Sequence, residues 1–336
     1  MIGPVAAGLP RLEELVAESL DRGIGLDTAR ALVALPPEEL PLLLAAADRV
    51  RRTAFGDRIR LCAIVNARSN LCGEDCAFCA QSRRSRADIP SYPLLDGDTL
   101  RDRAAAARAA GAVEFSVVTS GRRPGPAELD RLAVVLAEDT GMERCVSVGI
   151  LGREELRRLR DAGLRVFHHN LEASPRFYGT IVSTRTFQEN LDAVRAAKEA
   201  GLQVCSGGIF GMGETWEDRL ELFRILRELA VDRVPLNFLN PIPGTPLGDR
   251  PLLDAREALC IIAIARLMLP RRHINVAGGR EVVLGDLQAM VFLAGATGIL
   301  LGDYLTTRGR APADDLEMIR RLGLRVDDAP LAGAGS

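Results

Sequence analysis

The sequence predicts an α/β fold, a closed (β/α)8 barrel of the TIM type behind an N-terminal helical extension. From residue 58 onward, short apolar runs alternate with helical patterns of about ten to fifteen residues, the signature of βα units in a parallel sheet. The runs number eight, the count at which such a sheet closes on itself. Sulfur and polar residues recur inside these otherwise apolar runs, and in a closed barrel such side chains belong on the inner face.

Taken in order, residues 1–57 form the helical extension: 10–20 is amphipathic, and 36–55 opens on a proline pair suited to a helix start. Strands are predicted at 58–66, 113–120, 144–151, 165–172, 203–210, 233–240, 273–278 and 298–302. Helices are predicted at 100–110, 126–140, 153–163, 186–201, 215–229, 254–269 and 284–296. The barrel is expected over 58–324, and the stretch 325–336, VDDAPLAGAGS and its lead-in, reads as a disordered tail.

The 336 residues are 47% hydrophobic and 26% charged, with a net charge of −2, which suits a soluble globular chain. Basic helices carry interleaved acids, which argues against a nucleic-acid partner. The sequence lacks the run of roughly 18–20 apolar residues that a membrane span needs, and MIGPVAAGLPRLEEL lacks the basic start and apolar core of a signal peptide, so the expectation is a cytoplasmic protein without membrane contact. Seven cysteines, three clustered and four single, suit metal or catalytic thiols in a reducing compartment better than a disulfide framework.

The cluster is SNLCGEDCAFCAQS, which places Cys72, Cys76 and Cys79 in a loop after the first strand. A structural zinc site takes four ligands, often as two C-x-x-C pairs, and no second pair exists here. Three thiolates hold a four-iron cluster while leaving one iron open. Inside the strands, the inward candidates are Cys62, Ser116, Cys145, Ser147, His168, Asn170, Glu172, Cys205 and Asn237. A single strand cysteine is commonly a small buried hydrophobe. Three of them on three strands, beside a cysteine loop, point to a second metal centre. Cys260, in the helix over 254–269, is assigned to the core.

The motif C-x-x-x-C-x-aromatic-C, with Phe78 as the aromatic, resembles that of the radical S-adenosylmethionine enzymes. The resemblance implies a [4Fe-4S] cluster on Cys72, Cys76 and Cys79 whose open iron binds S-adenosylmethionine and splits it to a 5'-deoxyadenosyl radical. From about residue 10 to 320, the stretches CGEDCAFCAQS, NLEASPRFYGTIVSTRTFQENLDAVRAAKEAGLQVCSGGIFGMGET, VPLNFLNPIPGTPL and AGGRE are similar to the biotin synthase family. That similarity implies sulfur insertion into dethiobiotin, an electron donor such as flavodoxin or ferredoxin, and a homodimer.

Site roles follow from the same resemblance. Asn170 and Glu172 match the pair that holds the cosubstrate ribose, with glutamate where aspartate is more familiar. Arg185 matches an arginine near the cosubstrate carboxylate, its alternative being a solvated surface arginine. Gly207, Ile209, Gly211 and Glu214 match a motif bordering the adenine, the alternative being a glycine-rich strand-to-helix turn. Asn237 matches an asparagine that recognises the ureido group. His168 stands at a substrate-contacting position usually held by asparagine, or is a satisfied barrel histidine. Thr306 and Thr307 resemble a hydroxyl pair at the substrate carboxylate, after an approach one residue shorter than the familiar form.

For the auxiliary cluster, the positions matching the family's ligands are Ser116, Cys145, Cys205 and Arg280, so one thiolate is missing. Cys62 stands on the first strand, where the familiar form has no cysteine. Neighbouring strands lie about 4.8 Å apart, so Cys62 can serve nearly the same cluster, whose type is then [2Fe-2S] or a larger variant. Two other readings stand beside biotin synthesis: a radical enzyme of the hydrogenase- or pyrrolysine-maturation kind acting on another small substrate, and a non-enzymatic iron-sulfur protein.

Overall fold

The structure is a computed structural model that describes residues 12–328. Three helices precede the barrel: α1 (Leu12–Arg22), α2 (Leu26–Val33) and α3 (Leu40–Phe55), the last entered through a 3-10 turn at Pro37–Glu39. Residues 10 and 11 of the expected first helix lie outside the described range. The strands are β1 (Arg58–Arg68), β2 (Glu114–Thr119), β3 (Glu143–Ser147), β4 (Val166–His168), β5 (Gln203–Cys205), β6 (Gly208–Phe210), β7 (Arg233–Phe238), β8 (His273–Val276), β9 (Gly298–Leu300) and β10 (Arg325–Val326). The remaining helices are α4 (Gly97–Ala109), α5 (Pro126–Ala137), α6 (Arg153–Asp161), α7 (Pro175–Ile181), α8 (Phe187–Glu199), α9 (Trp216–Glu228), α10 (Ala255–Met268), α11 (Arg280–Leu284), α12 (Met290–Leu293) and α13 (Pro312–Arg321).

The ladder runs β1-β2-β3-β4-β5-β7-β8-β9, every pair is parallel, and β9 returns to β1 at Arg60↔Gly298 and Cys62↔Leu300. With β5 and β6 acting as one interrupted stave, this is the predicted eight-stave closed barrel. The interruption has a local cause. Pro235 on β7 has no N–H to give, and Gly207 packs against the Pro235 carbonyl so closely that a Cβ there would lie 1.9 Å from its oxygen. The run predicted as one strand over 203–210 therefore splits.

Other boundaries move for similar reasons. The third strand ends at Ser147, because the chain turns at Gly149 (φ 81) against the Arg122 carbonyl. The fourth ends at His168, and its expected continuation reaches Glu172 at φ 68, from which a single bridge runs to Gly208. The helix predicted over 284–296 breaks at Gly285 (φ 48) into α11, a 3-10 turn over Gly285–Ala289, and α12. Helices α2, α7 and α13 are additional to the sequence reading.

The core lies between the outer barrel face and the helices, and α10 is buried nearly all round, packed on α3 of the N-terminal extension. Inside the barrel, below the level of the strand cysteines, the filling is ionic. Arg60 donates from Nε to Glu114 (2.8 Å), from Nη2 to Glu143 (2.7 Å) and from Nη1 to Asp327 (2.9 Å). Arg233 donates from Nη2 to Glu143 (2.8 Å) and to Gln203 (2.8 Å). Both arginines and both glutamates are buried.

Asp327 enters this network from the segment expected to be a tail. The stretch from 325 does not begin disordered: Arg325 and Val326 pair with Arg58 and Ile59 of β1, and the Asp327 N–H donates to the Ile59 carbonyl. The free edge at the start of β1 and the third carboxylate for Arg60 account for the order. Residues 329–336 lie outside the described range. No described helix is long and apolar enough to cross a membrane.

Ending the chain at Leu324 removes β10 and the Asp327 carboxylate. Urea unfolding of that truncated protein is expected to show a loss on the order of 2–3 kcal/mol, because Arg60 keeps its buried charge with one partner fewer.

Candidate active site

The cysteine loop leaves β1 at the top of the barrel and is latched from several sides. Ser69 bridges to Tyr92, and the Tyr92 hydroxyl donates to the Asn66 carbonyl at 2.8 Å. The Ala77 N–H reaches the Ile181 carbonyl at the end of α7 (2.9 Å), and the Cys79 N–H turns back to the Cys76 carbonyl (3.2 Å). The strongest latch is Asp75. Its carboxylate accepts from the Ser183 N–H (2.8 Å) and hydroxyl (2.5 Å) and from the Thr184 N–H (3.2 Å) and hydroxyl (3.1 Å). Burial works against its charge, yet these bonds together hold the carboxyl well below the usual range. Glu74 beside it accepts from the Thr184 hydroxyl at 2.7 Å. The sequence reading singled out neither acid.

Burial pushes the Cys76 thiol up to about 12, with Arg185 opposing, and the Cys79 thiol up to about 11. Among the described residues, no three His, Cys, Asp or Glu side chains are gathered closely enough to chelate a single metal ion.

Below the loop, the barrel mouth opens into a cavity of about 330 Å³. It is lined by Phe78 and Cys79 from the loop, by Cys62, Ser116, Cys145, Ser147, His168, Asn170, Glu172, Cys205, Ile209 and Asn237 from the staves, and by Thr306 and Thr307 from the loop after β9. Every inward residue expected from the strands therefore faces one space. The registers explain this. Ser116 lies beside Cys145 and Ile64, His168 beside Cys205, and Cys62 beside Leu300, so the alternation of each strand delivers its inward set to a common layer.

Burial raises the Cys62, Cys145 and Cys205 thiols well above their ordinary range; Glu114 adds to the shift at each and Arg233 opposes it. All three are thiols in the metal-free protein, so loading a metal there releases protons.

Several expected residues lie outside the cavity wall. Cys72 and Cys76 are held in the loop above it. Arg185 donates from Nε to the Tyr178 hydroxyl (3.0 Å) and acts electrostatically on Cys76 and Glu172, which places it beside the loop and not in bulk solvent. Gly207 gives its N–H to Asn170 Oδ1 (3.2 Å) and its carbonyl to Leu171 and Glu172, a backbone role. Glu214 folds into the turn: its carboxylate accepts from the N–H groups of Gly211, Met212 and Gly213 and from Arg219. Of that motif, Ile209 alone reaches the cavity, so the turn is organised by its own acid.

Arg280, expected beside the auxiliary cluster, lies away from the cavity. Its guanidinium is fully buried on α11, bonded to Asp315 of α13 at 2.8 and 3.1 Å and to Gln288 at 2.8 Å, and it is absent from the cavity lining. The carboxylate of Asp315 is a nearer and better partner than any group in the barrel. The β8 position that does face the cavity is Asn275, which the sequence reading missed. The signal was available in the alternation along HINVAG, which puts Asn275 and Ala277 on one face. Cys260 packs against the core, as assigned.

The lining carries its own indication of a missing polar occupant. Ser116 Oγ, Glu172 Oε2 and Asn275 Oδ1 are buried at the cavity with no hydrogen-bond partner, an arrangement that native proteins seldom leave unanswered. His168 Nε2 lies 3.2 Å from Asn170 Oδ1, and burial holds its imidazole neutral. Asn237 accepts from the Gly278 N–H (3.0 Å) and donates to the Gly208 carbonyl (3.3 Å), leaving one N–H and one lone pair for a ligand. A mainly apolar wall carrying thiols, amides and the carboxyls of Glu114 and Glu172, closed from below by ion pairs, fits iron-sulfur groups and a small substrate.

Barrel, cysteine loop and the cavity at the barrel mouth define a radical S-adenosylmethionine enzyme, and residues 67–226 match the Radical SAM superfamily. Residues 235–325 match the Biotin and Thiamin Synthesis associated domain. The chain is 47% identical over 305 residues to the biotin synthase of Heliobacterium modesticaldum, covering 90% of this chain and 94% of that one. It is 47% identical over 327 residues to that of Nitratidesulfovibrio vulgaris, covering 96% and 90%. The chain belongs to the biotin synthase family. Among solved structures, methylornithine synthase is similar with a TM-score of 0.81 at 22% identity, covering 93% of this chain and 97% of that one. A [FeFe]-hydrogenase maturase from Carboxydothermus hydrogenoformans is similar at 0.80 and 20%, covering 94% and 79%. These two share the fold.

Burial pushes the Glu172 carboxyl from 4.5 up to about 7, against the opposing pull of Arg185 and Asn170. A carboxyl raised on folding binds its proton more tightly in the native state, so stability falls as pH rises from about 4.5 to 7 and is level above. Relative to Glu172→Gln, the metal-free protein is expected to lose about 3 kcal/mol across that window, read from urea midpoints at successive pH values.

Proposed function

We propose that this protein closes the thiophane ring of biotin by inserting sulfur into dethiobiotin. One observation carries the reading beyond the family: thiols from three separate staves, Cys62, Cys145 and Cys205, share one cavity with Cys79 of the loop and with Asn237. A second sulfur-ligated centre beside a substrate amide is what sulfur insertion needs and what a radical enzyme without sulfur transfer does not.

In this reading Cys72, Cys76 and Cys79 hold a [4Fe-4S] cluster, and Cys62, Cys145 and Cys205 hold the auxiliary cluster, with the free Asn275 oxygen beside them. When bound, the first cluster and S-adenosylmethionine supply a hydrogen-abstracting 5'-deoxyadenosyl radical, and the auxiliary cluster supplies the sulfur. The chain's own part is placement and exclusion. Asn170 and Glu172 offer oxygens to the ribose hydroxyls, and Arg185 lies beside the loop where a carboxylate is expected. Asn237 presents both a donor and an acceptor to the ureido edge, and Thr306 and Thr307 offer hydroxyls to the substrate carboxylate. The ion-paired floor and the latched loop keep water from the reacting carbon. The same reading includes an external one-electron donor of the flavodoxin or ferredoxin kind and a homodimer.

The decisive test is anaerobic reconstitution with iron and sulfide, then mass spectrometry of the product from dethiobiotin under dithionite; absence of biotin alongside normal 5'-deoxyadenosine release would sink the substrate assignment. Cys76→Ala is expected to abolish S-adenosylmethionine cleavage, and Cys260→Ala to leave it intact. Cys62→Ala is expected to cleave S-adenosylmethionine but transfer no sulfur, with iron and sulfide reduced by one cluster's worth. Ser116→Ala should be mild, since a neutral hydroxyl is a poor iron ligand. An undiminished iron count in Cys62→Ala would show that the cluster does not use that thiolate.

A further inference from the structure

The thiol layer and the ionic floor beneath it interlock through the strand registers. Cys205 on β5 is the register partner of Arg233 on β7, and Cys62 on β1 is the register partner of Glu114 on β2. The floor is therefore the next layer down from the three thiols.

Within that floor, the two arginines are satisfied differently. Arg60 is turned to three carboxylates, those of Glu114, Glu143 and Asp327. Arg233 places Nη2 on Glu143 and Gln203, but its Nη1 is 3.3 Å from Glu114 Oε2 without hydrogen-bond geometry. Both Nε–H and Nη1–H lack an acceptor although the side chain is 0% exposed. A buried donor left unmade costs about 1–3 kcal/mol, and a guanidinium has several such donors fixed in one plane. Burial works against the Arg233 charge, Glu114 and Glu143 favour it, and Cys145 and Cys205 would favour it further once they are thiolates. The cavity-facing position on the adjacent strand β8 is the neutral Asn275, and Arg280 is held on α11 by Asp315. Arg233 does not itself line the cavity, but its register with Cys205 puts its uncommitted N–H groups in the layer directly beneath the thiols.

We propose that Arg233 is a positioning residue for the auxiliary cluster, donating Nε–H and Nη1–H to sulfur atoms of the group held by Cys62, Cys145 and Cys205. The inference rests on the reading above that these thiolates carry a cluster. Its consequence is electrostatic as well as steric. A fixed positive charge with N–H donors beneath a thiolate-ligated group stabilises the state carrying the additional electron, and hydrogen bonds to cluster sulfur are one of the determinants of potential. Glu114 and Glu143 then hold the guanidinium in place so that its donors stay directed upward when the group is loaded.

The test uses the full chain with Cys72, Cys76 and Cys79 all changed to Ala, so that the auxiliary cluster alone contributes to the spectra. In that background Arg233→Gln and Arg233→Lys are compared with the parent by iron and sulfide counting, Mössbauer spectra, redox titration and iron loss to a chelator. Arg233→Gln is expected to shift the midpoint potential to lower values and to speed iron loss roughly tenfold. Arg233→Lys, which keeps the charge and loses the fork, should recover part of the potential and less of the iron retention. If Arg233→Gln does not fold, the double variant Arg233→Gln/Glu114→Gln removes the ion pair together and takes its place. A role confined to sealing the barrel would lower the melting temperature of every variant while leaving potential and spectra at parental values, and that result overturns the proposal. A parent protein without iron or sulfide removes the cluster reading itself, and this inference with it.

Discussion

The barrel can work only because its bottom is shut by charge. Arg60 and Arg233 reach across the interior to Glu114 and Glu143, so that four buried ionic side chains from four strands fill the space where most barrels pack aliphatic layers. Such a network is costly to assemble, because each ion is stripped of water, and costly to break, because any one loss strands a charge. It is also directional. It ties β1, β2, β3 and β7 together at one level and so sets the height at which the next inward residues, the three thiols, must lie. The C-terminal segment takes part through Asp327, which makes the end of the chain a structural member of the floor.

The upper end is shut by a different device. The cysteine loop has little regular structure, and its shape is held by hydrogen bonds to the turn between α7 and α8, with Asp75 accepting from both residues of the Ser183–Thr184 pair. Bonds to a charged acceptor are about twice as strong as neutral ones, which suits a loop that must keep three thiolates in a fixed relation. Between floor and loop lies a largely apolar space in which several buried polar atoms are left without a partner. Burial raises every thiol lining it and the Glu172 carboxyl while lowering His168. In each case burial favours the neutral form, and Arg233 opposes that at the three strand thiols while reinforcing it at His168.

The fold alone does not choose among substrates. Methylornithine synthase and a hydrogenase maturase superimpose closely at about a fifth of identical residues, as expected when one barrel carries many chemistries at its strand ends. What sets this chain's cavity apart is its lining: the second thiol set, the amide of Asn237 pinned between β6 and the loop after β8, and the neutral Asn275 are the groups on which our proposal rests.

The sequence by itself determined the barrel, the cysteine loop and the inward set, because strand alternation has a period of two and each of these residues could be placed by local counting. It also placed Cys62 and Ser116 on the inward faces of neighbouring strands, where both line the cavity. What only the tertiary structure decided was partnership. Arg280 reads like a barrel arginine until Asp315, thirty-five residues away in sequence, is seen to hold it; Glu214 reads like a cofactor contact until it folds onto its own turn. The tail reads as disordered until β1 offers it an edge. The pairing of Arg60 and Arg233 with Glu114 and Glu143 is likewise absent from the sequence reading, whose inward set named none of the four. Their meaning depends on four strands meeting at one height, and a distance across a closed barrel is not a quantity that any local pattern encodes.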